Sequence, residues 1–177
     1  MNRSFKNYIV RDFDTTESAA FFKLVNDNRQ RLEDFFPGTI AETKTPENTR
    51  NYCKRMQEWK DGKEYFPFVI IDLEDNSFVG YIDVKRIDWK IPKAEMGYFI
   101  DSRYEGKGII SKALSFVLQH LADQYNFKKI LCRIGTRNEG SSKVVLKNGF
   151  ELEGTIRADF KTSGGEIIDL NYYGKII

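Results

Sequence analysis

The apolar positions in the first part of the chain predict one strand followed by a helix. Tyr8 to Val10 is a short apolar run of the kind found in strands. Asp14 and Glu17 have the spacing of a capping box and predict that a helix begins there. The apolar side chains that follow recur with the spacing of one helix face, at Ala20, Phe21, Leu24 and Val25.

Two further helices are predicted before the main group of strands. One covers Arg29 to Phe35 and ends before Pro37, because helical geometry is disfavoured for a residue that precedes proline. The other begins at Thr45 and Pro46, with the threonine as cap and the proline in the first turn. Its apolar side chains share one face: Tyr52, Met56 and Trp59.

The remainder of the chain alternates between strand patterns and helix patterns. Strand patterns cover Phe66–Ile71, Phe78–Val84, Ala94–Asp101, Lys129–Ile134, Phe150–Arg157 and Glu166–Ile176. Helix patterns cover Ile109 to about Gln124 and about Asn138 to Lys147, the second ending at Asn148-Gly149. Helices that interrupt a mostly antiparallel sheet indicate the α+β class, with a parallel pairing across the long helix. Without a repeat or linker, residues 1–177 are expected to form one domain.

Composition and charge exclude several classes of protein. A hydrophobic content of 41% and an aromatic content of 14% argue against disorder. No apolar run reaches the roughly 18 residues of a membrane span, and Met1 to Asn7 lacks the apolar core of a signal peptide, so a cytoplasmic location is expected. The net charge of +2 predicts no general attraction to nucleic acid or anionic membranes.

The residues that hold metals or act as nucleophiles are scarce. Cys53 and Cys132 lie far apart in the sequence, and His120 is the one histidine. This set predicts no metal site and no disulfide framework. A Cys–His nucleophile pair is one interpretation, and two buried thiols with a histidine on a helix surface is the other.

The segment from Glu95 to Ile109 has the pattern of an anion-binding loop. A strand runs into Gly106 and Gly108, and an amphipathic helix begins immediately afterwards. Glycine allows backbone N–H groups to approach a bulky anion, and the start of a helix adds unpaired N–H donors and a positive dipole end. The alternative is a plain turn into the helix. The P-loop motif is absent, and the dinucleotide fingerprint G-x-G-x-x-G is incomplete, since Ser111 stands where its third glycine would be.

The glycine loop resembles the pyrophosphate loop of the GNAT superfamily, the Gcn5-related N-acetyltransferases. The resemblance rests on Arg103-x-x-Gly106-x-Gly108 and on the later block Asn138-x-x-Ser141, Val144, Lys147 and Gly149-Phe150. Further features resemble the RimJ/RimL-type branch, whose members acetylate protein N-termini: Glu95-x-Gly97-Tyr98, Gly80 and Gly165-x-x-x-Asp169. The match spans roughly residues 8 to 175.

This resemblance implies a fold and a cofactor site. The fold would be a mostly antiparallel sheet of about seven strands, splayed at the cofactor and flanked by about four to five helices. Acetyl-CoA would serve as co-substrate, without a metal. The residues implied at its site are Tyr98, Phe99, Ile100, Arg103, Tyr104, Glu105, Gly106, Lys107, Gly108, Ile109, Asn138, Ser141 and Lys143. For Lys107 a solvated loop lysine is the alternative, and for Asn138 a helix cap.

The resemblance also implies catalytic residues. Many superfamily members place a tyrosine seven residues after the Asn138 position to protonate the leaving thiolate, whereas this chain has Val145. Members of the RimJ/RimL-type branch use a serine at the Ser141 position, so Ser141 is the expected donor to the thiolate, with an ordinary first-turn serine as the alternative. Glu95 is the expected general base for the acceptor amine, and a paired or solvent-facing strand carboxylate is the alternative.

The sequence gives fewer signals about the acceptor site. Phe35, Phe36 and Tyr81 are candidates for an acceptor groove, although such aromatic residues are frequently part of a core. Asp83 or Asp169 could bind a cationic substrate, and Asp169 could instead anchor the last hairpin.

Three functions follow from these residues. The first is acetylation of a protein N-terminus, and the second is acetylation of a polyamine, an amino sugar or an amino acid. The third is a non-catalytic acyl-CoA sensor or scaffold. A homodimer through the last strands is also possible, because edge strands invite pairing.

Overall fold

A computed structural model describes all residues, 1–177. The chain forms eight strands and six helices in an α+β arrangement. The strands are β1 (Asn2–Phe5), β2 (Tyr8–Asp12), β3 (Phe66–Asp72), β4 (Phe78–Asp88), β5 (Lys93–Ile100), β6 (Lys129–Gly135), β7 (Glu151–Lys161) and β8 (Ile167–Ile176). The helices are α1 (Ser18–Asp27), α2 (Arg29–Leu32), α3 (Pro37–Glu42), α4 (Pro46–Asp61), α5 (Ile109–Tyr125) and α6 (Glu139–Lys147).

All strands belong to one sheet in the order β1-β2-β3-β4-β5-β6-β8-β7. Every neighbouring pair is antiparallel except β5 and β6, which are parallel across α5. That pair is short, because only Lys93 to Glu95 pair with Lys129 to Leu131. Beyond Glu95 the two strands separate, and the sheet opens into a wedge.

The two faces of the sheet carry separate hydrophobic cores. Ala113, Leu114 and Val117 of α5 are fully buried in the larger core, together with Ile82 and Ile130 of the sheet. The smaller core lies on the opposite face of the sheet. It contains Phe21 of α1, Cys53 and Met56 of α4, and Val69 and Tyr81 of the strands beneath them. The wedge between β5 and β6 therefore lies between two packed layers, which hold its walls in place.

The α+β class and the mostly antiparallel sheet are confirmed, and the counts differ slightly from the prediction. The additional strand is β1, which pairs with β2 alone and is mostly exposed. Its sequence, Asn2 to Phe5, has no buried face that would mark it as a strand. The sixth helix is α3, which begins at Pro37, at a position that was predicted to end a helix. Proline is tolerated in a first turn, where its missing N–H would have no helical partner.

The capping prediction was wrong at α1 and confirmed at α4. Helix α1 begins at Ser18 without a side-chain cap. Asp14 instead accepts hydrogen bonds from the backbone N–H and the hydroxyl of Thr16, at 2.9 and 2.7 Å, and so closes a turn before the helix. At α4 the Thr45 hydroxyl accepts a hydrogen bond from the Asn48 N–H at 3.1 Å. None of the helices has the length and apolar character needed to span a membrane.

Candidate active site

The wedge between β5 and β6 contains a cavity of about 650 Å³. Its walls include Met96 to Ile100 on β5 and Cys132 to Gly135 on β6, which are the parts of the two strands that do not pair with each other. Unpaired strand edges leave backbone N–H and C=O groups free for an extended ligand. The cavity can therefore hold a long, flexible ligand arm along β5.

The glycine loop forms one end of this cavity. Gly106 and Gly108 have φ angles of +71° and +73°, in the left-handed region that favours glycine. A Cβ added at either position would meet no atom within 4 Å, so the loop backbone faces open space. Gly108 is also the N-cap of α5 and provides no side-chain cap, which leaves the first N–H groups of α5 available to an anion. The geometry fits a pyrophosphate.

Three basic residues that were expected at the cofactor site do not line the cavity. Arg103 forms a bidentate pair with Asp101, at 2.9 and 2.8 Å, and the Arg103 guanidinium lowers the pKa of that carboxyl to about 2. Lys107 lies over the Tyr104 ring, 4.8 Å from its centroid. Lys143 is exposed and pairs with Glu139 at 3.2 Å. Contact between these side chains and phosphate remains a prediction, and the cavity itself presents backbone groups there.

Strand β5 is connected to α6 by a hydrogen bond. The hydroxyl of the half-buried Tyr98 donates to the backbone carbonyl of Ser141 at 2.8 Å, and desolvation raises the pKa of Tyr98 well above its usual value. The side chain of Asn138 accepts from the Ser141 N–H at 3.0 Å, so Asn138 caps α6. Its amide oxygen is therefore occupied by capping, and Asn138 also lies on the cavity wall. These two bonds hold Ser141 against the cavity.

The Ser141 hydroxyl lies beside the Tyr98 side chain, on a residue whose backbone N–H and C=O are both hydrogen-bonded. Ser141 is partly buried and lines the cavity. A hydroxyl held in a fixed position at the cavity can donate to an atom of a ligand. The geometry is compatible with the expected role at the thiolate.

Glu95 lies on the cavity wall at the point where β5 and β6 separate. Its Oε2 accepts hydrogen bonds from Arg133 Nε at 2.8 Å and from Arg86 Nη1 at 3.0 Å. Its Oε1 accepts a longer bond from Arg133 Nη2 at 3.3 Å. Neither arginine stands out in the sequence, because both reach Glu95 from other strands. Glu95 is thus a carboxylate held between two guanidinium groups, with its side chain 13% exposed.

The expected acceptor residues divide into two groups. Phe35 and Phe36 line the cavity, and the Phe36 ring packs against Phe99 with 5.2 Å between centroids. Tyr81 is fully buried and does not line the cavity, so the expectation of direct contact between Tyr81 and the acceptor is wrong. It is one of the large side chains of the smaller core, which the sequence pattern did not distinguish from a groove residue.

The two candidate carboxylates for a cationic substrate have different places. Asp169 accepts a hydrogen bond from the Ala158 N–H at 2.9 Å and so anchors the hairpin of β7 and β8. Asp83 lies on the cavity wall with its side chain 3% exposed. Tyr52, Tyr65 and Lys85 line the same region and were not predicted as site residues from the sequence. Their spacing along the chain carries no signal, because α4, the segment before β3, and β4 bring them together.

The cysteines do not form a nucleophile pair with the histidine. Burial raises the pKa of the Cys53 thiol to about 12 and raises that of the Cys132 thiol further. His120 packs edge-on against Phe68 and Tyr125, with centroids 6.0 and 5.6 Å apart. Neither thiol has a hydrogen-bonding partner that would activate it, so direct attack by an acceptor fits the site better than a covalent route.

Comparisons with known proteins agree with this geometry. A family described as the acetyltransferase (GNAT) domain matches residues 7–151. A probable N-acetyltransferase YjcK from Bacillus subtilis is 28% identical over 160 residues, covering 90% of this chain and 88% of that protein. A ribosomal-protein-serine acetyltransferase from Escherichia coli is 33% identical over 105 residues, covering 59% and 58%. The crystal structure of a ribosomal-protein-S5-alanine acetyltransferase from Vibrio fischeri superposes with a TM-score of 0.93 at 25% identity, covering 99% of this chain and 96% of that one.

Proposed function

The chain belongs to the acetyltransferase (GNAT) domain family, and we propose that its acceptor is the α-amino group of a protein or peptide N-terminus. The protein is an N-acetyltransferase with acetyl-CoA as co-substrate. Two of the similar proteins act, by their names, on ribosomal proteins. Under this proposal residues 1–177 act as one catalytic domain in the cytoplasm. The long outer strand β7 offers an edge on which a second copy would pair.

The charge of the cavity wall is the observation that favours a peptide over a polycation. A site for polyamines needs an excess of carboxylates. Here the charged residues on the wall are four basic and three acidic: Arg31, Lys85, Arg86, Arg133, Asp83, Glu95 and Glu105. The exposed aromatic side chain of Phe35 lies at this wall as well, and an apolar, charge-balanced groove suits a peptide.

The residues of the wedge divide the reaction between them. The glycine loop would hold the pyrophosphate, and the free edge of β5 at Tyr98 to Ile100 would pair with the pantetheine arm. Acetyl-CoA supplies the activated acetyl group. We assign Glu95 as the base that takes the proton of the acceptor amine through a water molecule, and Ser141 as the donor that stabilises the leaving thiolate. Positioning both reactants in one ternary complex lowers the entropic part of the barrier.

A panel of amines tests the proposed acceptor. Thiol release from acetyl-CoA is measured with peptides that carry a free N-terminus, with the same peptides blocked at the N-terminus, and with spermidine and an amino sugar. We expect the free peptides to be turned over with a kcat/KM at least about tenfold above that of the other amines, a difference of about 1.4 kcal/mol. A preference for spermidine or the amino sugar would reject the peptide acceptor. Acetyl-CoA binding without turnover of any amine would indicate a sensor.

Replacement of Ser141 by alanine tests the donor to the thiolate. We expect Ser141→Ala to lower kcat by about a hundredfold, the lower end of the range for proton transfer by a positioned side chain. The dissociation constant of acetyl-CoA should stay within about threefold, because the bonds that hold residue 141 use its backbone. The measurements are steady-state kinetics and titration with acetyl-CoA.

Ser142→Ala is the matched control, since the Ser142 hydroxyl donates within the helix to the Asn138 carbonyl at 3.1 Å and is not on the cavity wall. Equal rates for the two variants would show that Ser141 has no role in the reaction.

A further inference from the structure

Asp83 provides a buried negative charge inside the cavity. Its Oδ1 accepts hydrogen bonds from the Gly97 N–H and from Lys85 Nζ, both at 3.1 Å. Its Oδ2 accepts from the Tyr65 hydroxyl at 2.9 Å and from Lys85 Nζ at 3.0 Å. Burying a carboxylate is costly unless it is paired and hydrogen-bonded. The four bonds satisfy Asp83, and one cation, Lys85, supplies the compensating charge.

Strand β5 leaves space for this pair by having glycine at position 97. Asp83 and Gly97 are directly opposite each other in the register of β4 and β5. A Cβ at position 97 would lie 2.6 Å from Asp83 Oδ1 and 3.1 Å from Lys85 Nζ. Any other residue would therefore displace the carboxylate or its cation. Gly97 also precedes Tyr98, where the pantetheine arm that runs back from the glycine loop would end its pairing, so Asp83 lies beside the expected position of the thioester.

The partners of Asp83 differ in their freedom to move. The Gly97 N–H belongs to the sheet, and the Tyr65 hydroxyl is also bonded to the hydroxyl of the buried Tyr81 at 2.9 Å. Lys85, in contrast, is a long side chain that is 31% exposed and lines the cavity. Its ammonium lies 5.6 Å from the centroid of the Phe36 ring. The protein thus has a fixed anionic site that is filled by a movable ammonium.

The surroundings of this site are those that recognise ammonium groups. Phe36, Tyr52 and Tyr65 line the cavity near Asp83. Aromatic faces attract a cation through their quadrupole, and a carboxylate adds a direct ion pair. A peptide N-terminus enters as an ammonium at neutral pH, since its pKa is near 8. Its chemistry matches that of the Lys85 ammonium already present.

We propose that Asp83 binds the ammonium group of the acceptor, and that Lys85 occupies this place in the free enzyme and leaves it when the acceptor enters. This inference rests on the proposed function, in which an amine enters the cavity from the side of Phe36. Binding as an ammonium and attack as a free amine are successive steps. The Asp83 carboxylate favours the charged form of the bound amine, so the proton passes to the proposed base Glu95 after binding and before attack.

Kinetics of two variants test the exchange. We expect Asp83→Asn to raise the KM of the acceptor by about thirtyfold, because it removes a desolvated charge pair. Lys85→Met should instead lower the KM of the acceptor several-fold, because the competing ammonium is gone and a similar apolar stem is kept. The KM of acetyl-CoA should be unchanged in both. Lys54→Met and Asp123→Asn, at exposed positions of α4 and α5, serve as matched controls.

A binding measurement without turnover distinguishes this inference from the proposed acceptor. Melting temperatures are measured with CoA present, in ethylammonium chloride and in sodium chloride at equal ionic strength. A ligand that binds the folded state raises the melting temperature. Relative to sodium, ethylammonium should raise the melting temperature of the wild type slightly and that of Lys85→Met clearly more. It should give Asp83→Asn no more stabilisation than sodium does. Equal stabilisation of all three proteins would overturn the inference, whichever amine is the acceptor. So would an acceptor KM that rises as much in Lys85→Met as in Asp83→Asn. If ethylammonium acts in the expected order but peptides are not acetylated in the panel of amines, only the peptide acceptor is rejected and the binding role of Asp83 stands.

Discussion

Replacing both loop glycines, Gly106→Ala together with Gly108→Ala, is expected to weaken acetyl-CoA binding about a hundredfold. Alanine in the left-handed region costs about 1–2 kcal/mol per residue, so the loop backbone of the double variant relaxes away from the geometry that presents its N–H groups. A shift of about 2.7 kcal/mol in binding corresponds to a hundredfold change in affinity. The two methyl groups would also enter the open space in front of the loop. Calorimetric titration with acetyl-CoA measures the loss.

The matched control for the loop is Gly165→Ala. Gly165 has a φ of +87° and lies in the turn between β7 and β8, away from the cavity wall. Alanine at position 165 would carry the same kind of backbone strain, at a turn where no cofactor is proposed to bind. We expect it to lower the melting temperature by a few degrees and to leave the affinity for acetyl-CoA unchanged. If the loop variant binds acetyl-CoA as tightly as this control, the glycine loop is a helix entry and the cofactor lies elsewhere.

Glu95→Gln should have the largest effect on the chemical step. Glutamine keeps the shape of the side chain and can still accept from Arg133, but it cannot take a proton. We expect kcat at pH 7 to fall by about 10²- to 10⁴-fold, the range for loss of a positioned base. The defect should shrink as the pH rises to about 9, because solvent then deprotonates most of an acceptor amine whose pKa is near 8. A pH–rate profile of kcat records both effects.

The pH dependence separates a base from a structural carboxylate. Glu95 also neutralises Arg133 and Arg86, so its replacement can disturb the site without any proton transfer being lost. A purely structural defect would be equal at pH 7 and pH 9 and would reject Glu95 as the base. Glu166→Gln is the matched control, because Glu166 pairs with Arg137 on the surface at 3.2 Å and should show wild-type rates at every pH.

The alternation of strand and helix patterns was sufficient to predict the class of the fold. These patterns did not predict an element that has no buried face, or a helix that begins at a residue type that usually ends a helix. Strand β1 exists because β2 offers it an edge, and α3 begins at Pro37 within a segment that follows another helix. Asp14 and Glu17 had the spacing of a capping box, but Asp14 closed a local turn with Thr16 instead. Local hydrogen bonds of this kind compete with capping, and the sequence does not show which one forms.

The sequence by itself determined the parts of the site that use neighbouring residues. The loop with Gly106 and Gly108 and the cap formed by Asn138 on Ser141 depend on backbone geometry and on contacts a few residues apart, so their spacing along the chain is sufficient to predict them. Only the tertiary structure decided what surrounds the proposed acceptor position. Strand register, and the face of the sheet that each side chain occupies, decide three contacts. They are the burial of Tyr81 in the core, the pairing of Glu95 with Arg133, and the ion pair of Asp83 with Lys85. The first two join residues that are distant in the sequence. The sequence alone does not predict these contacts, because a shift of one residue in strand register would move every one of these side chains to the opposite face of the sheet.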